Sequence, residues 1–289
     1  MDLGALISGA LIGLREGVEA ALIVAIVLAY LTRTGNGRHA NKIWAGTAVA
    51  AAVSLAAGTA LFLTIGTLPE PWEQLFEGTT LALAAGVVTW MLFWMRRQSA
   101  GLRGELQAAV ERNVGDGTGW GLAVLAFSAV IREGIETALF LAGQATSLAN
   151  SAGSVAAGAL IGLAIAAVIG WGFYRGSRAL DLRKFFKWTG IALVFIAAGL
   201  LSVAIHEFVE VAELAGVVLP GAAAAYDISS VLSDKEGIGQ FLRAILGYSS
   251  SPEILTLTVH LGYIAAVLWL YLRPVERPPQ LVGAAPTQP

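Results

Sequence analysis

Two pentapeptides carry the chemistry of this chain. Arg15-Glu16-Gly17-Val18-Glu19 and Arg132-Glu133-Gly134-Ile135-Glu136 share the pattern Arg-Glu-Gly-x-Glu, at an offset of 117 residues. The first lies inside the apolar run from Leu3 to Leu31, the second inside the run from Trp120 to Ala142. Each puts three ionisable residues near the middle of a segment otherwise fit for lipid, where such residues mark ion or substrate pathways. On a helix, residues three apart share a face. Glu16 therefore sides with Glu19, and Glu133 with Glu136. Where two such helices cross, four carboxylates converge, and carboxylate oxygens suit hard cations such as Fe3+, Mg2+, Ca2+ and Mn2+. The chain has no cysteine, three methionines and three scattered histidines (His39, His206 and His260), so composition predicts a hard-ion site and excludes thiolate chemistry.

Arg15 and Arg132 each precede the second glutamate of their motif by four residues, the spacing of an ion pair along a helix. They balance part of the carboxylate charge and are candidates for gating. The two motifs together keep an excess of negative charge, which favours a multivalent cation over a neutral solute. A purely structural role, paired ions that fix helix packing, is the plain alternative. Magnitude counts against it. A charged residue at a span centre costs about 2.5–3.5 kcal/mol on insertion scales, so six cost on the order of 15–20 kcal/mol before pairing. A proton relay explains carboxylates but not the doubled arginine pattern. Gly9, Gly13 and Gly17 form a small-xxx-small row that lets a second helix come close beside Glu16.

A third constellation is His206, Glu207, Glu210 and Glu213, with His206 and Glu210 four apart and Glu207 and Glu210 three apart. It reads as a metal-binding station at a channel mouth, or else as a solvated helix end. Asp227, in Tyr226-Asp227-Ile228-Ser229, is a weaker candidate. His260 reads as a satisfied packing residue. Trp90, Met91, Trp94 and Met95 read as an interfacial belt rather than a soft-metal site.

The elements that position these residues are membrane spans. The 289 residues are 56% hydrophobic and only 13% charged, against about 25% charged for a soluble domain. Seven apolar stretches, 3–31, 43–66, 78–95, 120–142, 154–174, 188–206 and 254–272, are each about long enough for a hydrocarbon core of roughly 30 Å. The N-terminus has no basic n-region and reads as a retained first span. Lysine and arginine concentrate in the 32–42, 96–119 and 175–187 loops and the tail. Outside the spans, only Lys235 and Arg243 fall on the other side. The positive-inside rule then predicts N-out, C-in. The outward loops are acidic, with Glu70, Glu73 and Glu77 in one and Glu207 to Glu253 in the other, which concentrates cations at the mouth.

The expected fold is an all-α integral membrane protein of seven transmembrane helices. Repeat one spans 1–95 and repeat two 120–206, so each motif opens a three-helix unit of opposite orientation. Inverted repeats of this kind hold their sites at the midplane. An outer loop follows at 207–253 and a seventh span at 254–272. Residues 273–289, rich in proline, read as a disordered inner tail. Short surface helices are expected within 99–112 and 238–246. No P-loop and no nucleophile–base set is present, so the chain does not read as an enzyme.

At the motifs Arg15-Glu16-Gly17-x-Glu19 and Arg132-Glu133-Gly134-x-Glu136 the sequence resembles the oxidase-dependent iron permeases, which comprise fungal high-affinity iron permeases and bacterial EfeU-type transporters. That family carries Arg-Glu-Gly-[Leu/Ile/Val]-Glu in its first and fourth spans. His206-Glu207-x-x-Glu210 resembles the end of its sixth. The resemblance covers nearly the whole chain. It implies high-affinity iron uptake across a plasma membrane (the inner membrane in bacteria), with the motif glutamates as ligands and iron as substrate, and no organic cofactor. It also implies extracytoplasmic redox partners, either a multicopper oxidase or a cupredoxin-like protein with a haem peroxidase, and suggests Fe3+ as the ion moved. Nucleic acid is not an expected partner, and both monomer and dimer fit. The fungal Asp-Ala-Ser-Glu element of the outer loop is here Asp227-Ile228-Ser229-Ser230, without the final acid, so only Asp227 is carried over. A permease for another cation, such as lead or manganese, and a non-transporting anchor for redox partners are the alternatives.

Overall fold

Asp2 starts the first helix. Its carboxylate accepts hydrogen bonds from the backbone N–H of Gly4 (2.9 Å) and Ala5 (3.2 Å), an N-cap that satisfies two donors with no partner inside the helix. Its own N–H donates to Ser154 Oγ (3.0 Å), tying this helix to a distant one. In the computed structural model, residues 2–64, 69–98, 108–113, 119–148, 151–175 and 182–273 are described. The long helices are α1 (Leu3–Arg33), α2 (Ala40–Thr64), α3 (Trp72–Gln98), α4 (Trp120–Ser147), α5 (Ala152–Tyr174), α6 (Leu182–Leu214) and α8 (Ile254–Leu272), with a short α7 (Gly237–Leu246). No strand occurs among the described residues. An isolated antiparallel bridge joins Ala224 to Glu253.

Helices α2, α3, α5, α6 and α8 are long and apolar enough to cross a membrane. Helices α1 and α4, with 31 and 28 residues, are long enough at about 46 and 42 Å, but each carries three charges of the repeated motif. The packing pairs α1 with α5, α2 with α4, and α3 with α6, while α1 also crosses α4. Exchanging the first three helices for the next three maps this set of pairs onto itself.

Small residues make the two main pairings possible. Gly9 and Gly13 of α1 lie against Val155 and Ala159 of α5, and a Cβ on Gly9 would sit 2.1 Å from the Val155 carbonyl oxygen. In α2, Gly46, Ala50, Ser54 and Gly58 recur every fourth residue against α4, as Gly158, Gly162, Ala166 and Gly170 do in α5 against α1. Backbones can approach this closely only where side chains are absent, and dispersion across the seam holds them there. The larger apolar core lies between α3, α4, α6 and α8, around Leu81, Phe140, Leu193 and Leu200. A second core joins α1, α2 and α4 around Val27, Leu31 and Leu122.

Several boundaries differ from the hydropathy reading, the start of α6 at Leu182 and the end of α4 at Ser147 among them. Helix α3 begins at Trp72 and α6 runs to Leu214, so Glu73, Glu77 and the stretch from Glu207 to Glu213 are helical rather than loop. Their charge ends the apolar run but not the helix, because the main chain goes on satisfying its own hydrogen bonds. Within 207–253, α7 falls where a short helix is expected at 238–246, but it packs against α1 and α6 rather than lying free on the surface. Ala244 of α7 packs with Ala5, Leu148 and Val155, and Gln144 Nε2 donates to the Ala244 carbonyl (3.2 Å). Of the expected inner surface helix, 108–113 is helical while 99–107 lies outside the described residues. Residues 176–181 of the 175–187 loop and the tail from 274 onward also lie outside them, while 182–187 belong to α6.

Candidate metal site

The crossing of α1 and α4 brings the motifs together in the interior. Arg15, Glu16, Glu19, Glu133 and Glu136 are all buried. One carboxylate oxygen from each of Glu16, Glu19 and Glu133 lies within 4.8 Å of the others. Ligands about 2.1 Å from a small cation lie at most about 4.2 Å apart. The triangle therefore closes on an ion by a shift of less than about 1 Å. Four carboxylates were expected to converge, and three do. Glu136 is buried beside them, within electrostatic reach of Glu16, Glu19 and Glu133. The second oxygens of Glu16, Glu133 and Glu136 are buried with no hydrogen-bond partner among the described residues. Unpaired buried acceptors are costly, and a cation supplies what they lack.

The two arginines are unlike each other. Arg15 is 2% exposed, with Nη1 2.6 Å from Glu16 Oε1 and Nη2 3.2 Å from Glu19 Oε1. Those same nitrogens touch Met91 Sδ (3.3 Å) and Met95 Sδ (3.2 Å) of α3. Arg132 has a side chain 39% exposed. Its Nε donates to Glu133 Oε1 (2.8 Å), Nη2 also reaches that oxygen, and the guanidinium stacks 4.6 Å from the centre of the Trp94 ring.

The expected interfacial belt divides accordingly. Trp90 is exposed and stacked on Trp94, while Met91 is buried against Arg15. A spacing of four puts the two methionines on one face and the two tryptophans on another. Their common spacing hid that the two faces have different neighbours.

At the end of α6, His206 Nδ1 meets Glu253 Oε1 at 2.5 Å and Nε2 lies 3.4 Å from Glu210 Oε1. Glu253 stands at the N-cap position of α8, where its Oε2 accepts from the Thr256 hydroxyl, and only the folded outer loop brings it to His206. Burial raises its carboxyl, but hydrogen bonds from Thr256 and His206 outweigh that and hold it below the usual carboxylate range. Glu207 lies beside α3, where a Cβ on Gly78 would sit 3.2 Å from Glu207 Cβ, and it is within electrostatic reach of Glu77 and Glu210. Glu213 is exposed at the helix end. Asp227 is also exposed. Its carboxylate accepts from the N–H of Ser229 (2.9 Å), which lowers its pKa, and it serves its own loop. His260 Nδ1 is bonded to Ser202 Oγ (2.9 Å), a packing role.

The model of the iron permease FTR1 family matches residues 6–273. The chain belongs to that family. The ferrous iron permease EfeU of Yersinia pestis is 37% identical over 266 residues, covering 91% of this chain and 92% of that one. The ferrous iron permease EfeU of Escherichia coli O6:H1 is 38% identical over 270 residues, covering 91% and 94%. No solved structure matches. Family membership and the apolar helices make this permease a multi-pass membrane protein of iron transport rather than an enzyme.

Proposed function

We propose that the permease takes up iron inward through a midplane site formed by Glu16, Glu19 and Glu133, with Glu136 joining as the ion binds. The buried carboxylate triangle with its unpaired oxygens carries this reading. Iron gathers at the acidic outer ends of α3 and α6, where His206, Glu207 and Glu210 act with Glu253 and Glu77. It then displaces Arg15 and Arg132 from the carboxylates. An inward-negative potential adds about 2.3 kcal/mol per charge per 100 mV, near 5 for a divalent ion.

The exchange-symmetric packing of α1–α3 with α4–α6 supports two inverted three-helix repeats, with α8 as a seventh span. The motif-bearing helices α1 and α4 count as spans because their length suffices and their charges face each other. The concentration of basic residues in alternate loops supports N-out, C-in, and the permease relatives support placement in a plasma membrane, the inner one in bacteria. The relatives named above are ferrous permeases. On this reading Fe2+ is the ion that the chain carries, in place of the Fe3+ and partner oxidation that the resemblance suggests.

The test is radioactive iron uptake by the purified chain in proteoliposomes. Glu16→Gln and Glu133→Gln are expected to abolish it while leaving the protein folded. Wild-type rates in both variants refute the site. Uptake by the chain alone excludes a mere anchor, and competition by manganese or lead ranks the ions.

A further inference from the structure

We propose that Met91 and Met95 are ligands of the transported ion, completing with Glu16 and Glu19 a mixed oxygen–thioether cage that the Arg15 guanidinium fills when no ion is there. The inference rests on the carboxylate reading above and goes beyond it to the softness of the ion.

The geometry is specific. Each terminal nitrogen of Arg15 lies between one carboxylate oxygen and one sulfur. Nη1 lies between Glu16 Oε1 (2.6 Å) and Met91 Sδ (3.3 Å). Nη2 lies between Glu19 Oε1 (3.2 Å) and Met95 Sδ (3.2 Å). A positive group already occupies the space bounded by two oxygens and two sulfurs. A cation that takes its place meets the same four atoms.

Packing alone does not call for sulfur here. A thioether is a weak acceptor for a buried guanidinium, whose donors ordinarily go to oxygen. Arg15 Nε is itself left without a hydrogen-bond partner among the described residues. Leucine would fill the same volume at these two positions. The sulfurs add polarisability aimed at the one point where a cation sits. Apart from Met1, Met91 and Met95 are the only methionines in the sequence, and α6, the counterpart of α3 in the second half, has none.

The chemistry names the ligand class. Carboxylate oxygens alone bind Mg2+ and Ca2+ as readily as transition ions. Thioether ligands favour softer metals and are of little use to the hard ones. The cage therefore suits a borderline divalent ion, Fe2+, and discriminates against the far more abundant Mg2+ and Ca2+. Arg15 acts as the resident counter-ion that keeps the cage closed to them.

Iron K-edge absorption on the wild-type protein loaded with Fe2+ under reducing conditions reads the ligands directly. The expected result is a sulfur shell outside an oxygen shell at about 2.1 Å. Met91→Leu/Met95→Leu is close to volume-conserving. It should lose the sulfur shell, keep the oxygen shell, and lower Fe2+ preference over Mg2+ in proteoliposome uptake by about tenfold or more. Inhibition of Fe2+ uptake by the soft probe Cd2+ should weaken in parallel. Iron bound to wild type by oxygen and nitrogen alone overturns the proposal, as does unchanged Cd2+ sensitivity in the double variant. The wild-type spectrum decides even where the double variant does not fold. Glu16→Gln separates the two ideas, since wild-type iron binding in that variant defeats the carboxylate site itself, whatever the sulfur shell shows.

Discussion

The glycine at the centre of each motif sets how closely the motif-bearing helix is seated on its neighbour, and Gly17→Ala tests this. A Cβ on Gly17 would lie 2.7 Å from Ala166 Cβ and 3.0 Å from Leu163 Cδ2 of α5. Carbon atoms prefer separations of about 3.5–4.0 Å, so α1 must back away from α5 by about 1 Å. Overpacking of this kind costs about 1–3 kcal/mol. Better helix propensity returns up to about 1 kcal/mol of it. The variant should therefore fold with only slightly lowered thermal stability. The displacement moves Glu16 and Glu19 relative to Glu133, in a triangle that already needs contraction to bind. If the 1–3 kcal/mol reaches the ion, iron affinity falls about 5–150-fold. Iron binding by calorimetry, uptake in proteoliposomes and a thermal melt measure the three quantities. Ala166→Gly removes the obstructing methyl, so the Gly17→Ala/Ala166→Gly pair should recover most of the affinity. Wild-type affinity in Gly17→Ala, or no recovery in the pair, refutes the argument.

Arg15→Gln should destabilise the fold by about 3–5 kcal/mol, because it leaves buried carboxylates uncompensated, while the more exposed Arg132→Gln should cost less; equal shifts in thermal midpoint would contradict the asymmetry of the two copies. Asp2→Ala removes the α1 N-cap and should cost about 1 kcal/mol, read as a lower thermal midpoint with iron uptake retained. Glu253 titrates below its ordinary value, so its stabilising contribution is present above the unfolded pKa of about 4.3 and is lost as pH falls through the lower folded value. Wild type should therefore exceed Glu253→Gln in stability at pH 7 and converge with it as acid protonates the folded carboxylate, and a gap unchanged across the whole acid limb would rule out the His206–Glu253–Thr256 network as its source.

Spacing alone made much of the site legible. Glutamates three apart on two helices had to share faces, and an identical pattern in two apolar runs pointed to one shared place. The structure brings Glu16, Glu19 and Glu133 together on that logic, and the small-residue row from Gly9 to Gly17 lies against α5 as its spacing implied. Helix ends were harder to read, because hydropathy reports where lipid contact stops and not where the hydrogen-bond ladder stops. Glu73, Glu77 and the turn from Glu207 to Glu213 were assigned to loops on that account. Contacts between distant elements left no local trace. Nothing near Glu253 in sequence announces His206. The sulfurs of Met91 and Met95 were masked by tryptophans with the same spacing.

The doubled motif also predicts more symmetry than the interior keeps. An exact two-fold would give Arg132 the surroundings of Arg15, seated against α6 as Arg15 is against α3. Instead both arginines reach the same end of α3, Arg15 to Met91 and Met95 and Arg132 to the Trp94 ring. One guanidinium is sealed and the other is partly open. The two motifs thus supply the carboxylates in duplicate, while α3 holds the two arginines unequally.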